Sequence, residues 1–319
     1  MNPRSILFDC DPGHDDAMAL FVAHGSPAID LVAVTTVCGN QTIDKVTRNA
    51  LAIGSLAAMS GVTFAQGAAG PLVREHTPAA DIHGDSGMDG PDLPEITCAL
   101  DPRPAAAVIV DEIMAREPGT VTIVATGPLT NLALALESEP EIAHRADVSI
   151  MGGAIGAGNI TPVAEFNIHV DPHAAQSVFT APWRVTMMGL DVTHRAIAAS
   201  SVHRRLTELA TPIGDFCVSL LDFFGDRYAQ HQGFDRPPVH DLCPIVHLIE
   251  PEIFDIRRAE VVVEVDGRYT AGQTVVDLRP QSVPGRHRVA LDMDVARFWD
   301  VVIESIATIA LTSGHTRSE

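Results

Sequence analysis

The fold class this sequence predicts is α/β: an open, mostly parallel, Rossmann-like sheet with helices on both faces. Three observations predict it. Short β-branched apolar runs alternate with longer alanine-rich helical stretches through the first two thirds of the 319 residues, the pattern of βαβ units. Polar, turn-forming clusters follow the strand candidates, at the carboxyl ends where such sheets place their sites. The last third turns to longer helical stretches, so a helical lobe is expected over the sheet's carboxyl edge, within a single domain spanning residues 1–319.

The first strand candidate, residues 5–8, is the apolar run Ile6, Leu7, Phe8. A turn, Asp11-Pro12-Gly13, separates it from a helix-like segment at 17–23. Further strands are expected at 31–37, 62–65, 121–125, 148–151 and 185–188, with helices between them at 42–60, 105–116, 129–137 and 172–179. Beyond these, 201–232 reads as mostly helical and 239–249 as another helix. Late strands are expected at 261–265 and 274–278, and a terminal helix at 295–310. No repeat, low-complexity segment or linker divides the chain.

Composition removes several function classes. The formal charge is −20, from 41 acidic against 21 basic residues, which argues against nucleic acid, an anionic membrane or a highly charged phosphate as partner. Lysine occurs once, at Lys45, so Schiff-base enzymes and P-loop nucleotidases are disfavoured. The five cysteines, Cys10, Cys38, Cys98, Cys217 and Cys243, form no CxxC pair. They suggest a reducing, cytoplasmic setting rather than a disulfide framework or a zinc site. No uninterrupted apolar run approaches about 18 residues, so no membrane span is expected. The amino terminus lacks a long apolar stretch, and cleavage there would destroy the residues discussed next.

Asp9, Asp11, Asp15 and Asp16 crowd the stretch DCDPGHDD. Helix capping by Asp15 or Asp16 explains one or two of the four. Crowded carboxylates otherwise repel and raise one another's pKa, whereas a hard divalent cation takes oxygen ligands and holds them ionised together.

Later strand ends carry further candidates. Cys38-Gly39-Asn40 ends in an amide that is either a plain turn residue or one that orients a carboxylate or sugar hydroxyl. The long Gly-, Pro- and Asp-rich stretch after the third strand holds HGDSGMDG, residues 83–90; a loop of that length is more often functional than idle, although His83 could be a solvated loop histidine. Residues 125–131, ATGPLTN, read as a strand-to-helix turn with Thr130 or Asn131 as cap. The glycine-rich run at 151–159 lacks GxGxxG before a helix, which disfavours a phosphate loop. His240-Asp241 stands at a helix start, as a cap or as part of a site.

Taken in order, DCDPGHDD, TTVCGNQ, HGDSGMDG and the segments around 126, 159–167 and 240 resemble the inosine-uridine nucleoside hydrolase family, calcium-dependent enzymes that split N-ribosidic bonds. The resemblance implies a Ca2+ ion held by Asp11, Asp16, Asp241 and the Thr126 main-chain carbonyl, with Asp11 also the general base toward water. It assigns Asp15, Asn159, Glu165 and Asn167 to the ribose, whose vicinal diol such side chains suit better than a phosphate. Asn40 belongs with them or, with Asp9, behind the metal ligands. His83 falls on the ribose or leaving-group side, and His240 beside the base as proton donor.

The base would be read by a helical segment around 221–234, where Tyr228, His231 and Phe223-Phe224 are candidates, unless the phenylalanines are core. That segment holds no tryptophan, which points to uridine, cytidine or inosine rather than to the purine-stacking subgroup. Position 14, commonly aliphatic in the family, is His14 here. The partners implied are a small nucleoside and further copies of the chain, as homodimer or homotetramer. Two other readings are a haloacid dehalogenase-type phosphatase, which also opens with Asp-x-Asp but needs a late lysine, and a catalytically silent calcium-dependent nucleoside-binding protein.

Overall fold

A computed structural model describes residues 3–280 and 285–312; residues 1–2 and 313–319 of the expected domain span lie outside the described residues. Among the described residues ten strands form one sheet: β1 (Arg4–Cys10), β2 (Ile29–Thr36), β3 (Thr63–Gln66), β4 (Leu100–Asp101), β5 (Val121–Ala125), β6 (Ala146–Met151), β7 (Arg184–Met188), β8 (Phe254–Val263), β9 (Thr274–Asp277) and β10 (His287–Met293). Their order is β4-β3-β2-β1-β5-β6-β7-β10-β8-β9. Pairing is parallel from β4 through β7 to β10, and antiparallel at β10–β8 and β8–β9.

The chain lays β2, β3 and β4 to one side of β1, then returns to lay β5, β6 and β7 on the other. β1 therefore stands at the topological switch point, where the connections part and leave a crevice beyond the strand ends. Its alternation sorts the core. Ile6, Phe8 and Cys10 face one cluster, with the helices His14–Gly25, Leu242–Ile249 and Val295–Thr312, while Leu7 faces the other, with Ala105–Met114, Thr130–Ser138 and Pro172–Thr180. Helices on both faces are what the sequence predicts.

Several boundaries differ from expectation for local reasons. The first helix begins at His14 rather than 17, which puts Asp15 and Asp16 in its first turn. The 201–232 stretch is two helices, Ser200–Glu208 and Pro212–His231, parted where Ala210 takes φ +51° and Pro212 opens the second. Thr211 caps that helix by accepting the Gly214 N–H. The helix expected from 239 starts at Leu242, because Pro238 first bridges to Ile197. Strand β10 was not foreseen, and β8 begins at Phe254 rather than 261.

The helix His14–Gly25 meets the terminal helix at Gly25, where a Cβ would stand 2.0 Å from the Ser305 main-chain oxygen. Gly25→Ala should therefore cost about 1–3 kcal/mol through overpacking. The expected reading is a lower urea midpoint at unchanged slope; an unshifted midpoint would mean that the two helices have room to part.

Candidate active site

The carboxyl ends of β1, β2, β5 and β6 converge on a cleft lined by polar and aromatic side chains. Each strand end contributes through a different physical device. Asp9, the last-but-one residue of β1, lies in register with Thr35 on β2 and Ala125 on β5. Its Oδ1 accepts Thr35 Oγ1–H at 2.5 Å and Asn131 Nδ2–H at 2.7 Å. Burial outweighs those bonds and pushes its carboxyl up to about 7. Asp9 does not line the cleft; its side chain ties the end of β1 to β2 and to the helix Thr130–Ser138.

Asp11 follows at the turn. Its Oδ2 accepts the Asn40 N–H at 2.7 Å, while Oδ1 is sealed from solvent with no partner among the described residues. The carboxylate is wedged between two glycines: a Cβ on Gly39 would lie 2.0 Å from Oδ2, and one on Gly127 2.8 Å from Oδ1. Those positions require glycine because of this close approach, not because of φ.

Asp16 does cap the helix, accepting the Gly13 N–H at 3.0 Å, but it also accepts Thr126 Oγ1–H at 2.7 Å and Asn40 Nδ2–H at 3.4 Å. Capping and site membership thus coexist in one side chain. Asp15 accepts the His240 N–H at 3.1 Å. Asp241 opens its helix without making any side-chain cap bond, so capping does not explain it. One oxygen each from Asp15, Asp16 and Asp241 lies within 4.8 Å of the others; Asp11, expected as a ligand, is not part of this triple, and the ribose candidate Asp15 is.

These groups are all buried, and among the described residues no lysine or arginine ion pair reaches them. Burial, then mutual repulsion, raises Asp15 to about 7 and Asp11 and Asp241 well above the usual carboxylate range. A donor set made only of oxygens, with one carboxylate oxygen left unpartnered, fits a hard divalent cation. The Thr126 carbonyl accepts Asn167 Nδ2–H at 2.6 Å, and the Thr126 hydroxyl of the same residue donates to Asp16.

The ribose candidates line the cleft beside it. Asn159 accepts the Phe166 N–H through Oδ1. Glu165 caps the short helix Phe166–Val170 by accepting the Asn167 and Ile168 N–H groups, and also takes the Gly153 N–H. Burial nevertheless lifts it to about 7. Asn40 lines the cleft as well, with its amide donating to the Asp11 carbonyl.

The opposite wall is aromatic: Phe224, Tyr228, His240 and His83. His240 Nε2 lies 2.9 Å from the Tyr228 hydroxyl and Nδ1 2.8 Å from Thr193 Oγ1. Burial and His194 lower its pKa to about 3, which works against the proton-donor role that the sequence suggests for this ring alone. Burial, His14 and His240 hold His83 well below the usual histidine range; it is no solvated loop histidine. His231 is exposed and lines no part of the cleft, where Gln232 stands instead.

The expected caps at 130 and 131 are corrected too. Thr130 Oγ1–H goes to Asp171, and Asn131 spans Asp9, the Thr36 carbonyl and the Ala68 N–H. Thr35, Asn131 and Thr193 were missed as supporting residues, since nothing in their local sequence distinguishes them from ordinary strand and turn positions.

The family model described as inosine-uridine preferring nucleoside hydrolase matches residues 6–300. The inosine-uridine preferring nucleoside hydrolase of Leishmania major is 44% identical over 311 residues, covering 96% of this chain and 98% of that one. The pyrimidine-specific ribonucleoside hydrolase RihA of Salmonella newport is 44% identical over 314 residues, covering 94% and 97%. Among solved structures, the purine-preferring ribonucleoside hydrolase from Gardnerella vaginalis superposes with a TM-score of 0.90 at 30% identity, over 96% of this chain and 99% of its own.

Raised carboxylate pKa values carry a sign. A group that titrates higher folded than unfolded adds stability below its unfolded pKa and loses it as pH rises through the folded value. With chelator present, Asp9, Asp15 and Glu165 near 7 should make the protein gain stability as pH falls from about 8 to about 6.5. Below that window the depressed histidines, His14 and His240, oppose the gain. Millimolar divalent cation should raise Tm at pH 8 and reverse the trend, because protons then compete with the ion. Melting curves across this window, with and without chelator, check it; identical curves would remove the cation site.

Proposed function

Since the chain belongs to the inosine-uridine preferring nucleoside hydrolase family, we propose how its residues divide the hydrolysis of a ribonucleoside into ribose and free base. An N-ribosidic bond breaks through an oxocarbenium-like state: the sugar becomes positive, the base departs with negative charge, and water attacks C1′. The observation that carries the reading is one cleft lined by the buried carboxyl groups of Asp15, Glu165 and Asp241, by the amides of Asn40, Asn159 and Asn167, and by the rings of His83, Phe224, Tyr228 and His240, with Asp16 clustered against Asp15 and Asp241.

Calcium would be held by Asp11, Asp16, Asp241 and the Thr126 carbonyl; when bound, such an ion neutralises the crowded carboxylates and lowers the pKa of a water. Asp11 takes the proton of the attacking water, a role supported by its unpartnered Oδ1. Asp15, within the same 4.8 Å cluster, grips a ribose hydroxyl beside the ion, with Asn159, Glu165 and Asn167 on the rest of the sugar. Their combined negative field favours the developing cation. Asn40 holds Asp11 and Asp16 in place from behind, while Asp9 braces the strand end beneath them through Thr35 and Asn131.

The leaving base meets Phe224, Tyr228 and His240. Because His240 is neutral and bonded at both nitrogens, the hydrogen bond to the departing base comes from the Tyr228–His240 pair acting together. Uridine, cytidine and inosine are the substrates this wall suits, with no tryptophan between 221 and 234. The phosphatase reading loses its lysine, since Lys45 Nζ donates to the Asp85 carbonyl on an exposed face. Assembly as a homodimer or homotetramer in the cytoplasm belongs to the same proposal, and light scattering after size exclusion tests the assembly.

Turnover of uridine or inosine should need no phosphate and yield free ribose; ribose 1-phosphate as product would make the protein a phosphorylase. Asp11→Asn should lower kcat by about 10²- to 10⁴-fold with the fold intact, and wild-type turnover with the ion still bound would refute the base assignment.

His240→Ala should harm inosine or uridine far more than p-nitrophenyl riboside, whose leaving group needs no hydrogen bond. Asn167→Ala should harm both alike. Equal losses for His240→Ala on the two substrate types would move His240 out of leaving-group chemistry.

A further inference from the structure

His14 has no part in the roles above, yet it is buried in the first turn of the helix that carries Asp15 and Asp16. Its ring stacks on Phe223 at 5.2 Å and Phe224 at 4.9 Å, both within 7° of parallel, and on His83 at 5.4 Å. Both nitrogens are engaged. Nε2 lies 2.8 Å from the Asp89 main-chain carbonyl, and Nδ1 lies 3.2 Å from Nδ1 of His83. The Asp89 carbonyl is itself held by a tight turn, since the Asp89 carboxylate accepts the N–H groups of Asp85 and Ser86. Gly13 lets the two imidazoles meet, because a Cβ there would lie 2.4 Å from His83 Nδ1.

Hydrogen-bond chemistry then fixes the protons. A carbonyl only accepts, so Nε2 of His14 carries a hydrogen. No carboxylate oxygen bonds to either nitrogen, and the ring faces are apolar phenylalanines, which is the setting of a neutral imidazole. In a neutral ring the second nitrogen is a bare acceptor, so the hydrogen between the two histidines belongs to Nδ1 of His83. The same rule applied once more leaves Nε2 of His83 bare. Among the described residues that nitrogen has no partner, and it is not among the polar atoms sealed from solvent, so it opens on the cleft that His83 lines.

We propose that His14 is a positioning residue that locks His83 as its Nδ1–H tautomer, so that His83 presents a lone pair to the cleft and accepts a hydrogen from an O–H or N–H of the bound nucleoside. This deepens the nucleoside reading and rests on it for the identity of the donor. It also gives a reason for histidine at a position where an aliphatic side chain would leave the His83 tautomer free.

The tautomer is read without turnover, by nitrogen-15 NMR of histidine-labelled wild-type protein, the His83 signal being assigned from its loss in His83→Gln. Hydrogen on His83 Nδ1 is expected, with Nε2 bare. His14→Leu should shift His83 toward Nε2–H and lower kcat/KM on uridine or inosine by about 10- to 100-fold. His14→Asn, whose side-chain carbonyl reaches the place of Nδ1, should restore both the tautomer and most of the rate. A wild-type His83 found as Nε2–H, or a doubly protonated His14, overturns the proposal, as does a folded His14→Asn no better than His14→Leu. Should His14→Leu fail to fold, the wild-type spectrum still decides. Absence of hydrolysis in every form would count against the nucleoside reading and leave the tautomer result standing.

Discussion

Five carboxylates buried together with no cation of the protein's own are the constraint on which the rest of this structure depends. Asp9, Asp11, Asp15, Asp16 and Asp241 are each at most 4% exposed. Withdrawing an ion from water costs several kcal/mol even after relaxation, and a hydrogen bond to a charged group returns about 1.5–3. Asp16 collects three such bonds and Asp9 two, whereas Asp11 collects one from the Asn40 amide. Hydrogen bonds therefore offset only part of the burial, since Asp9 and Asp16 are still raised by it, and they do nothing for the mutual repulsion at the centre. Either protons or a divalent cation must finish the work, and the choice between them ties stability, pH and activity to one another.

The same constraint explains the placement. Only at the switch point do the ends of neighbouring strands point amide groups, hydroxyls and a carbonyl at one spot. β1 brings Asp9, and the turn after it brings Asp11. The end of β2 brings Asn40, and that of β5 brings Thr126, both as hydroxyl to Asp16 and as carbonyl to Asn167. Glycines at 39 and 127 are what allow two strand ends to close on the Asp11 carboxylate. The opposite wall follows the reverse rule. Its histidines are held neutral by burial, so no fixed positive charge competes for the carboxylates.

How much of this was legible in the sequence depends on whether the signal is local. The alternation of strands and helices up to β7 was visible because each element carries its own periodicity, and the carboxylate cluster because four of its members sit in eight residues. Strand β10 was invisible for the opposite reason: His287–Met293 owes its place to pairing with β7 and β8, not to a strong apolar run. The split near Ala210 had a readable signal, Thr-Pro at 211–212, which a long helical average obscured. Among site residues, Asn159, Glu165, Asn167 and His240 were found through the resemblance, while Thr35, Asn131 and Thr193 were not, because their roles exist only across 26, 122 and 47 residues of chain. The depressed pKa of His240 was equally hidden, since burial and the nearby His194 ring cause it.

One helix couples the two walls. His14–Gly25 turns Asp15 and Asp16 toward the carboxylate cluster and His14 toward the aromatic side, while Phe21 meets Phe216 of the helix Pro212–His231 edge-on at 6.0 Å. The base-side helix is thereby registered against the very turn that carries the metal-side carboxylates, through Phe216 at one point and Phe223 and Phe224 at another. A shift of Pro212–His231 large enough to move Tyr228 would have to unstack Phe223 and Phe224 from His14, and so would disturb the partner of His83. Residues that differ in charge and in chemistry are thus held in one geometry by apolar packing that touches neither the sugar nor the ion.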